Sequence, residues 1–209
     1  MQFYDCATAP SPRRARIFIA EKGLDVPTTQ IDLGKAEQLG GDFLKINPRG
    51  TVPVLMTDEG VALTENLAIA AYLEMKHPEP ALMGGNDIER AEVLQWAAIA
   101  ESHGFQAVAE ALRNTNPHMK GRALPGPDNY DQIPELGERG LARTKRYFEI
   151  LDRRLEGREW LVGGGFTYAD ITAFVCADFA RIIKMRVPEE LGNLHTWYTK
   201  MKERPSAGL

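Results

Sequence analysis

The sequence predicts a small α/β domain followed by an all-helical domain. Short segments with strand-like and helix-like patterns alternate over residues 1–78. The strand signal then disappears, and long segments with helical periodicity follow. Between the two halves, residues 79–86 contain Pro80 and two adjacent glycines without periodicity, which is typical of a linker. We therefore expect one domain over 1–78, a linker over 79–86 and a second domain over 87–209.

The first domain is predicted to have the element order βαβαββα. Its last helix shows the pattern most plainly, because Ile69, Tyr72 and Leu73 recur at the i, i+3, i+4 spacing of one helix face. The predicted elements, in chain order, are 2–6, 13–22, 26–32, 35–45, 52–56, 61–63 and 65–77. This order gives a small mixed sheet with helices on its faces.

The second domain is predicted to contain helices alone. The predicted helices are 88–113, 135–155, and two more around 171–182 and 194–201. Residues 114–134 hold four prolines and are expected to form a long loop. Thr167 and Asp170 have the spacing of a capping box before an apolar helix, so we assign them to folding and not to chemistry.

Composition excludes several classes of function. The net charge of −4 gives no electrostatic argument for nucleic acid or for an anionic membrane as a partner. No apolar run approaches the ~20 residues of a membrane span, and the first residues lack the pattern of a signal peptide. Cys6 and Cys176 are far apart, so a cytoplasmic chain with reduced thiols is expected. Histidine and cysteine show no metal-ligand spacing, and no metal is expected.

Residues 47–66 hold a turn, a strand, a hairpin loop and a helix start. Pro53 follows Val52 at the first position of the strand, where a missing N–H is tolerated. A trans bond there would only mark a strand edge. A cis bond would turn the backbone N–H and C=O of Val52 toward an extended peptide ligand, which pairs like an added strand.

The helix start after the hairpin is a candidate anion site. Its first N–H groups have no partner within the helix, Asn66 adds a side-chain donor, and Glu65 can pair with an ammonium group. Carboxylate and ammonium together form the end of a γ-glutamyl group. The alternative is structural, with Thr64 as an N-cap and Glu65 as a favourable acid in the first turn.

The string as a whole resembles a known family. Asn47–Pro53 read Asn-Pro-x-Gly-x-Val-Pro, and Glu65 follows at the helix start, as in the thioredoxin-like domain of cytosolic glutathione transferases. Asn66 replaces the usual Ser and keeps donor and acceptor capacity. An all-α helical-bundle domain after the thioredoxin-like domain is also the family's layout. The resemblance therefore covers nearly the whole chain.

The resemblance implies a glutathione transferase with glutathione as co-substrate and a small hydrophobic electrophile, working as a homodimer. It implies an electrophile site between the domains, with Ser102, His103 and Gln106 as polar residues in that region. Lys35 is a weaker alternative to one of the implied glutathione contacts, Gln38, and both could instead be solvated surface. The implied glutathione contacts are Gln38, Thr51, Val52, Pro53, Glu65 and Asn66.

The sequence offers several candidates for the group that activates the thiol. A free thiol has a pKa of about 8.5, so the enzyme must stabilise the thiolate, and Ser-type members of the family do so with a hydroxyl after the first strand. Ala9 and Pro10 occupy the usual position here, so Ser11 is the first candidate and Thr8 the second, with a backbone N–H as the remaining alternative. Ser11 could equally be an ordinary N-cap. Cys6 is expected to be a small buried residue.

Two other functions stay open at this point. A non-catalytic relative that binds glutathione, an apolar ligand or a protein partner would explain the departure at Ala9 and Pro10. A glutathione-dependent isomerase, dehalogenase or lyase could share the scaffold. The Ser-Cys-type signature of one isomerase branch is absent from this sequence.

Overall fold

A four-stranded mixed sheet is formed by the first part of the chain. The computed structural model describes all residues, Met1–Leu209. The strands are β1 (Gln2–Asp5), β2 (Thr28–Gln30), β3 (Val54–Met56) and β4 (Ala62–Leu63). Their order across the sheet is β2-β1-β3-β4, with β1 parallel to β2 and antiparallel to β3. The hairpin β3–β4 is antiparallel, as the sequence predicts.

Three helices accompany this sheet, and together they confirm the predicted order βαβαββα. They are α1 (Pro10–Glu21), α2 (Gly41–Ile46) and α3 (Asn66–Lys76). Helix α1 begins three residues before the predicted start, because Pro10 has the backbone angle that the first helical position needs. The helix predicted over 35–45 is divided into a short 3₁₀ turn, Glu37–Leu39, and α2.

The core of the sheet places the loop after β1 next to the Val52–Pro53 step. Cys6, Val52 and Val54 belong to one buried apolar cluster, together with Phe43, and Ala9 packs against it. Cys6 is therefore a small buried residue, as expected. Because Val52 and the start of α1 share this core, the residues that flank them are held close to one another.

The regular elements in the remainder of the chain are helices joined by loops. Its elements are α4 (Asp87–Ile99), a π-helical segment (Ala100–Phe105), α5 (Gln106–Thr115), α6 (Pro134–Arg154), α7 (Tyr168–Phe179) and α8 (Gly192–Lys202). The helix predicted over 88–113 is thus interrupted by a π turn. No helix is long and apolar enough to span a membrane. The cytoplasmic location stays a prediction.

Gly104 marks a close approach inside this helical part. A Cβ added there would lie 2.6 Å from Cys176 Sγ and 2.7 Å from Cε1 of Tyr147. Any side chain would therefore have to push apart buried groups on α7 and α6. Glycine is required here by packing, and the π turn is where the helix passes these neighbours.

Helix α7 is buried along its length, and the predicted capping box at its start is confirmed. Asp170 Oδ2 accepts hydrogen bonds from the N–H and the hydroxyl of Thr167, each at 3.0 Å. Its Oδ1 accepts from Leu161 N and from Trp197 Nε1, also at 3.0 Å each. Burial raises the pKa of Asp170 to about 6 although these donors oppose the shift.

The chain divides into two compact units. One comprises Met1–Pro80 with residues 124–129 and Leu209, and the other comprises Ala81–Ala123 with residues 130–208. A short piece of the loop predicted over 114–134 therefore belongs to the first unit. The predicted limits 1–78, 79–86 and 87–209 stay a prediction.

Candidate functional site

The first turn of α1 offers few backbone donors. Ala9 is its N-cap, and the N–H of Ala9 already donates to the carbonyl of Cys6 at 3.0 Å. Pro10 and Pro12 have no N–H. Of the N–H groups that a helix start normally leaves without an intrahelical partner, only that of Ser11 remains for a ligand.

The hydroxyl of Ser11 lies where α1 and α3 begin. Its Oγ accepts a 3.0 Å hydrogen bond from Asn66 Nδ2, 55 residues further along the chain. It also accepts a 3.1 Å hydrogen bond from Nη2 of Arg14, on the next turn of α1. Asn66 and Arg14 are each only 4% exposed. Ser11 is not the N-cap, so the alternative of an ordinary capping serine is wrong.

The start of α3 combines free backbone N–H groups with an unpaired amide oxygen. Its N-cap is Glu65, whose side chain makes no capping hydrogen bond. Oδ1 of Asn66 is buried and has no hydrogen-bond partner in the protein. Thr64 is not the N-cap, which removes the structural alternative for that residue, and its hydroxyl instead accepts from the guanidinium of Arg49. A ligand with both donor and acceptor groups could satisfy this helix start.

Arg49 is a neighbour of Glu65 that the sequence did not reveal. Its Nη2 lies 3.1 Å from Oε1 of Glu65, and both side chains are largely exposed. It occupies the variable position of the Asn-Pro-x-Gly string, so the pattern itself carried no signal for it. Because the pair is solvent-exposed, it contributes little to stability and leaves Glu65 accessible to another cation.

The turn before Val52 is held by Asn47. Its Nδ2 donates to the carbonyl of Thr51 at 2.8 Å and to the Thr51 hydroxyl at 3.0 Å. Its Oδ1 accepts from the N–H of Arg49 at 3.1 Å. The bond between Val52 and Pro53 is cis, the second of the two alternatives. One buried asparagine therefore sets the position of Thr51 and of the segment that follows.

The backbone of Gln38 lies close to this turn. Gly50 has a φ of 59°, and a Cβ there would lie 3.2 Å from the carbonyl oxygen of Gln38. Gln38 is 6% exposed, and its Oε1 is buried without a partner. Lys35 is exposed and pairs with Asp32 at 3.3 Å, so it resembles ordinary surface more than Gln38 does.

Thr8 is not part of the contact between Ser11 and Asn66. It is exposed, and its Oγ1 lies 3.5 Å from Sγ of Cys6. The structure therefore brings together Ser11, Asn66 and Arg14, and separately Gln38 with the Gly50 turn. Thr8 is joined to neither group by a hydrogen bond.

Two family models match the chain. The model for the N-terminal domain of glutathione S-transferase matches residues 8–76, and the model for the C-terminal domain matches residues 115–205. Glutathione S-transferase 2 of Saccharomyces cerevisiae is 33% identical over 209 residues, which cover 99% of this chain and 87% of that protein. The chain belongs to the glutathione S-transferase family. The family predicted from residues 47–66 is thereby confirmed.

Solved structures of glutathione transferases agree with the fold. The crystal structure of Gtt2 from Saccharomyces cerevisiae is 32% identical and has a TM-score of 0.90 over 100% of this chain and 99% of that one. A glutathione S-transferase domain-containing protein from Marinobacter aquaeolei VT8 is also 32% identical, with a TM-score of 0.88 over 99% of each chain. The predicted thioredoxin-like and helical domains are confirmed as the fold class, and the family supports glutathione as co-substrate.

The residues predicted for the electrophile lie around the π turn. Ser102 and His103 belong to the π segment, and Gln106 is the first residue of α5. The Ser102 hydroxyl donates to the carbonyl of Ala98 at 2.8 Å, whereas His103 and Gln106 are exposed. Short π segments are frequent at functional sites of helices. Their role toward an electrophile stays a prediction.

Proposed function

We propose that this chain transfers the thiolate of glutathione to a small hydrophobic electrophile. The observation that carries the proposal is the 3.0 Å hydrogen bond between Asn66 Nδ2 and Ser11 Oγ. It joins a hydroxyl in the first turn of α1 to the helix start that suits a γ-glutamyl group. In glutathione the sulfur and the γ-glutamyl end belong to one short molecule, so a site for both needs these two features side by side.

The γ-glutamyl carboxylate binds at the start of α3 in this proposal. The free N–H groups of the first turn face it, and the positive end of the helix dipole favours the negative charge. The buried Oδ1 of Asn66 lacks a donor, and the exposed carboxylate of Glu65 is paired with the exposed guanidinium of Arg49. An ammonium group supplies donors to both.

In this proposal the remainder of glutathione extends from the start of α3 along Val52 and Thr51 to Gln38. The backbone of Val52 pairs with the extended peptide, Thr51 reaches it from the adjoining turn, and Gln38 meets the glycine end. Pro53 fixes the backbone at this step. The Asn47 hydrogen bonds to Thr51 support this part, because they hold its hydroxyl in one place before any ligand binds.

The electrophile is proposed to meet residues around the π turn. His103 and Gln106 are exposed and have polar groups available, while Ser102 is engaged within its own helix. A mostly apolar electrophile needs few such groups, since orientation and an active thiolate supply most of the rate.

A homodimer is proposed for the working enzyme. On α3, Leu67 and Met75 are two helical turns apart on one face, and Met75 is 76% exposed. On α4, Ile88 and Leu94 are likewise exposed. Large exposed apolar side chains on a helix favour a covered surface, and each of these two helices carries such side chains. A second copy of the chain is the partner that the family suggests.

The test is the ultraviolet absorbance of the glutathione thiolate, measured across pH with saturating protein. The native protein should show the band well below the pKa of about 8.5 of a free thiol, and Ser11→Ala should lose it. Thr8→Val is the matched control and should keep it. A band that survives in Ser11→Ala would assign the stabilisation to the Ser11 N–H, which alanine retains.

Binding is followed separately by calorimetry. If glutathione binds to the native protein but the thiolate band never appears below the pKa of the free thiol, the transferase proposal fails. A non-catalytic glutathione-binding protein would then replace it.

A further inference from the structure

Ser11 Oγ is the acceptor in both of its hydrogen bonds. The Arg14 guanidinium carries donors only, and the Asn66 group that faces Ser11 is its NH₂. A serine oxygen has two lone pairs and one hydrogen. Both lone pairs are occupied here, and the Ser11 hydroxyl donates to no group of the protein. The hydrogen of the Ser11 hydroxyl is therefore available to donate to a ligand.

We infer that Arg14 and Asn66 are positioning residues that hold Ser11 as a hydrogen-bond donor to the sulfur of glutathione. The inference rests on the proposed function. It explains how Ser11 could activate the thiol although it lies after Ala9 and Pro10, which occupy the usual position of the serine. With both lone pairs taken, the hydroxyl cannot rotate to accept a bond from the thiol, and only the donating orientation remains.

Arg14 also adds charge. A hydrogen bond from a guanidinium is charge-assisted, and hydrogen bonds in a chain polarise one another, so the Ser11 hydroxyl becomes a stronger donor. Arg14 is 4% exposed, and water screens its charge poorly. The thiol proton leaves to solvent, Ser11 keeps its own hydrogen, and the sulfur anion is stabilised where it forms.

The other two arginines of α1 point to different partners. Nε of Arg13 donates to the carbonyl of Leu209 at 2.9 Å, and Nη1 of Arg16 lies 2.5 Å from Oδ1 of the buried Asp5. Arg14 is therefore the arginine of α1 that contacts Ser11. Because Pro10 and Pro12 remove backbone donors from the same turn, side chains must supply what the helix start lacks.

The inference is tested by the pKa of the thiol of bound glutathione, read from the thiolate band in four proteins: native, Arg14→Gln, Ser11→Ala and the double variant. Arg14→Gln should raise that pKa by about one unit, a tenfold loss of thiolate at a pH below it. Arg13→Gln is the control: it removes one positive charge from the neighbouring position, and it should shift the pKa of the bound thiol far less. In the Ser11→Ala background, Arg14→Gln should add nothing.

Other results would overturn the inference. An equal shift from Arg14→Gln in the Ser11→Ala background would mean that Arg14 acts on the sulfur directly. No shift from a folded Arg14→Gln protein, with the native band present, would remove Arg14 from this role while the proposed transferase stands. A native protein without the band would instead refute the proposed function, and this inference with it.

A second variant covers the case in which Arg14→Gln does not fold. Asn66→Asp replaces the donor amide by a group that can only accept, so the carboxylate would take the Ser11 hydrogen. The pKa of the bound thiol should rise by about one unit or more at saturating glutathione. An unchanged pKa would overturn the inference.

Discussion

Nε1 of Trp197 donates a 3.0 Å hydrogen bond to Oδ1 of Asp170, and this bond ties α8 to the start of α7. The same carboxylate accepts the N–H groups of Leu161 and Thr167. One buried side chain thus satisfies donors from three parts of the helical unit. The predicted capping role of Asp170 is only one part of its function in folding.

Asp170→Ala should lower the free energy of unfolding by about 3 kcal/mol or more, because it leaves several buried donors without an acceptor. Urea unfolding followed by circular dichroism measures this. Asp87→Ala is the control, since that carboxylate is 98% exposed and pairs only with Arg90 on its own helix. It should cost less than about 0.5 kcal/mol, and equal losses would contradict the assignment.

The same carboxylate predicts a pH dependence. Burial raises the pKa of Asp170 from 3.8 to about 6, so the folded protein holds this proton more tightly than the unfolded chain. The stability that comes from binding this Asp170 proton is fully present below about pH 4 and is lost as pH rises through about 6. Relative to Asp170→Asn, which stays neutral, the native protein should therefore lose stability between these pH values. A difference that is flat or rises with pH would contradict this.

Gly104→Ala should destabilise the protein by about 1–3 kcal/mol, because the new Cβ would overlap the sulfur of Cys176 and the ring of Tyr147. Thermal unfolding measures the loss. Gly41→Ala is the matched control, since a Cβ there meets nothing within 4 Å, and it should be neutral or slightly stabilising. Adding Cys176→Ala to Gly104→Ala should cost less than Cys176→Ala alone; additive losses would argue against the contact.

Glu65→Gln should weaken glutathione binding about tenfold, since a charged hydrogen bond to the ammonium group contributes about 1.5 kcal/mol or more. Calorimetry with glutathione and with an analogue that lacks the amine makes the test specific. The analogue should bind equally to the native and variant proteins. Glu59→Gln, at an exposed carboxylate paired with Lys76, is the control and should bind normally. An equal loss for both ligands would remove Glu65 from the ammonium site.

Leu67→Lys together with Met75→Lys should convert a homodimer to monomers, because charges on this face of α3 would have to be buried in the interface. Sedimentation equilibrium measures the mass. Ala20→Lys on the exposed side of α1 should leave it unchanged. A native protein that sediments as a monomer at micromolar concentration would rule out the proposed dimer.

The order of elements could be predicted because local patterns determine it. Helical periodicity at Ile69, Tyr72 and Leu73, and turn residues around Gly60, have physical causes that act within a few residues. Element limits were less accurate. Helix α1 starts at Pro10 and not at Arg13, and β3 starts at Val54 and not at Val52, since these limits depend on neighbouring segments.

The candidate site was predicted only in part. Glu65 and Asn66 could be proposed from the sequence because their place at a helix start is local information. Ser11 remained one of several alternatives, since sequence spacing does not show which hydroxyl lies beside α3. Arg49 carried no signal, because only the fold brings it near Glu65. Arg14 lies one helical turn from Ser11, but the sequence does not show which of the arginines on α1 turns its side chain toward that hydroxyl.

The family, the order βαβαββα followed by helices, and the motif from Asn47 to Asn66 could all be recognised from residue order alone, because periodicity and turn chemistry are local properties of the chain. The folded protein was needed to show that Asn66 joins Arg14 in donating to the oxygen of Ser11. Ser11 and Asn66 are 55 positions apart, and residue order does not encode whether their side chains come within hydrogen-bonding distance.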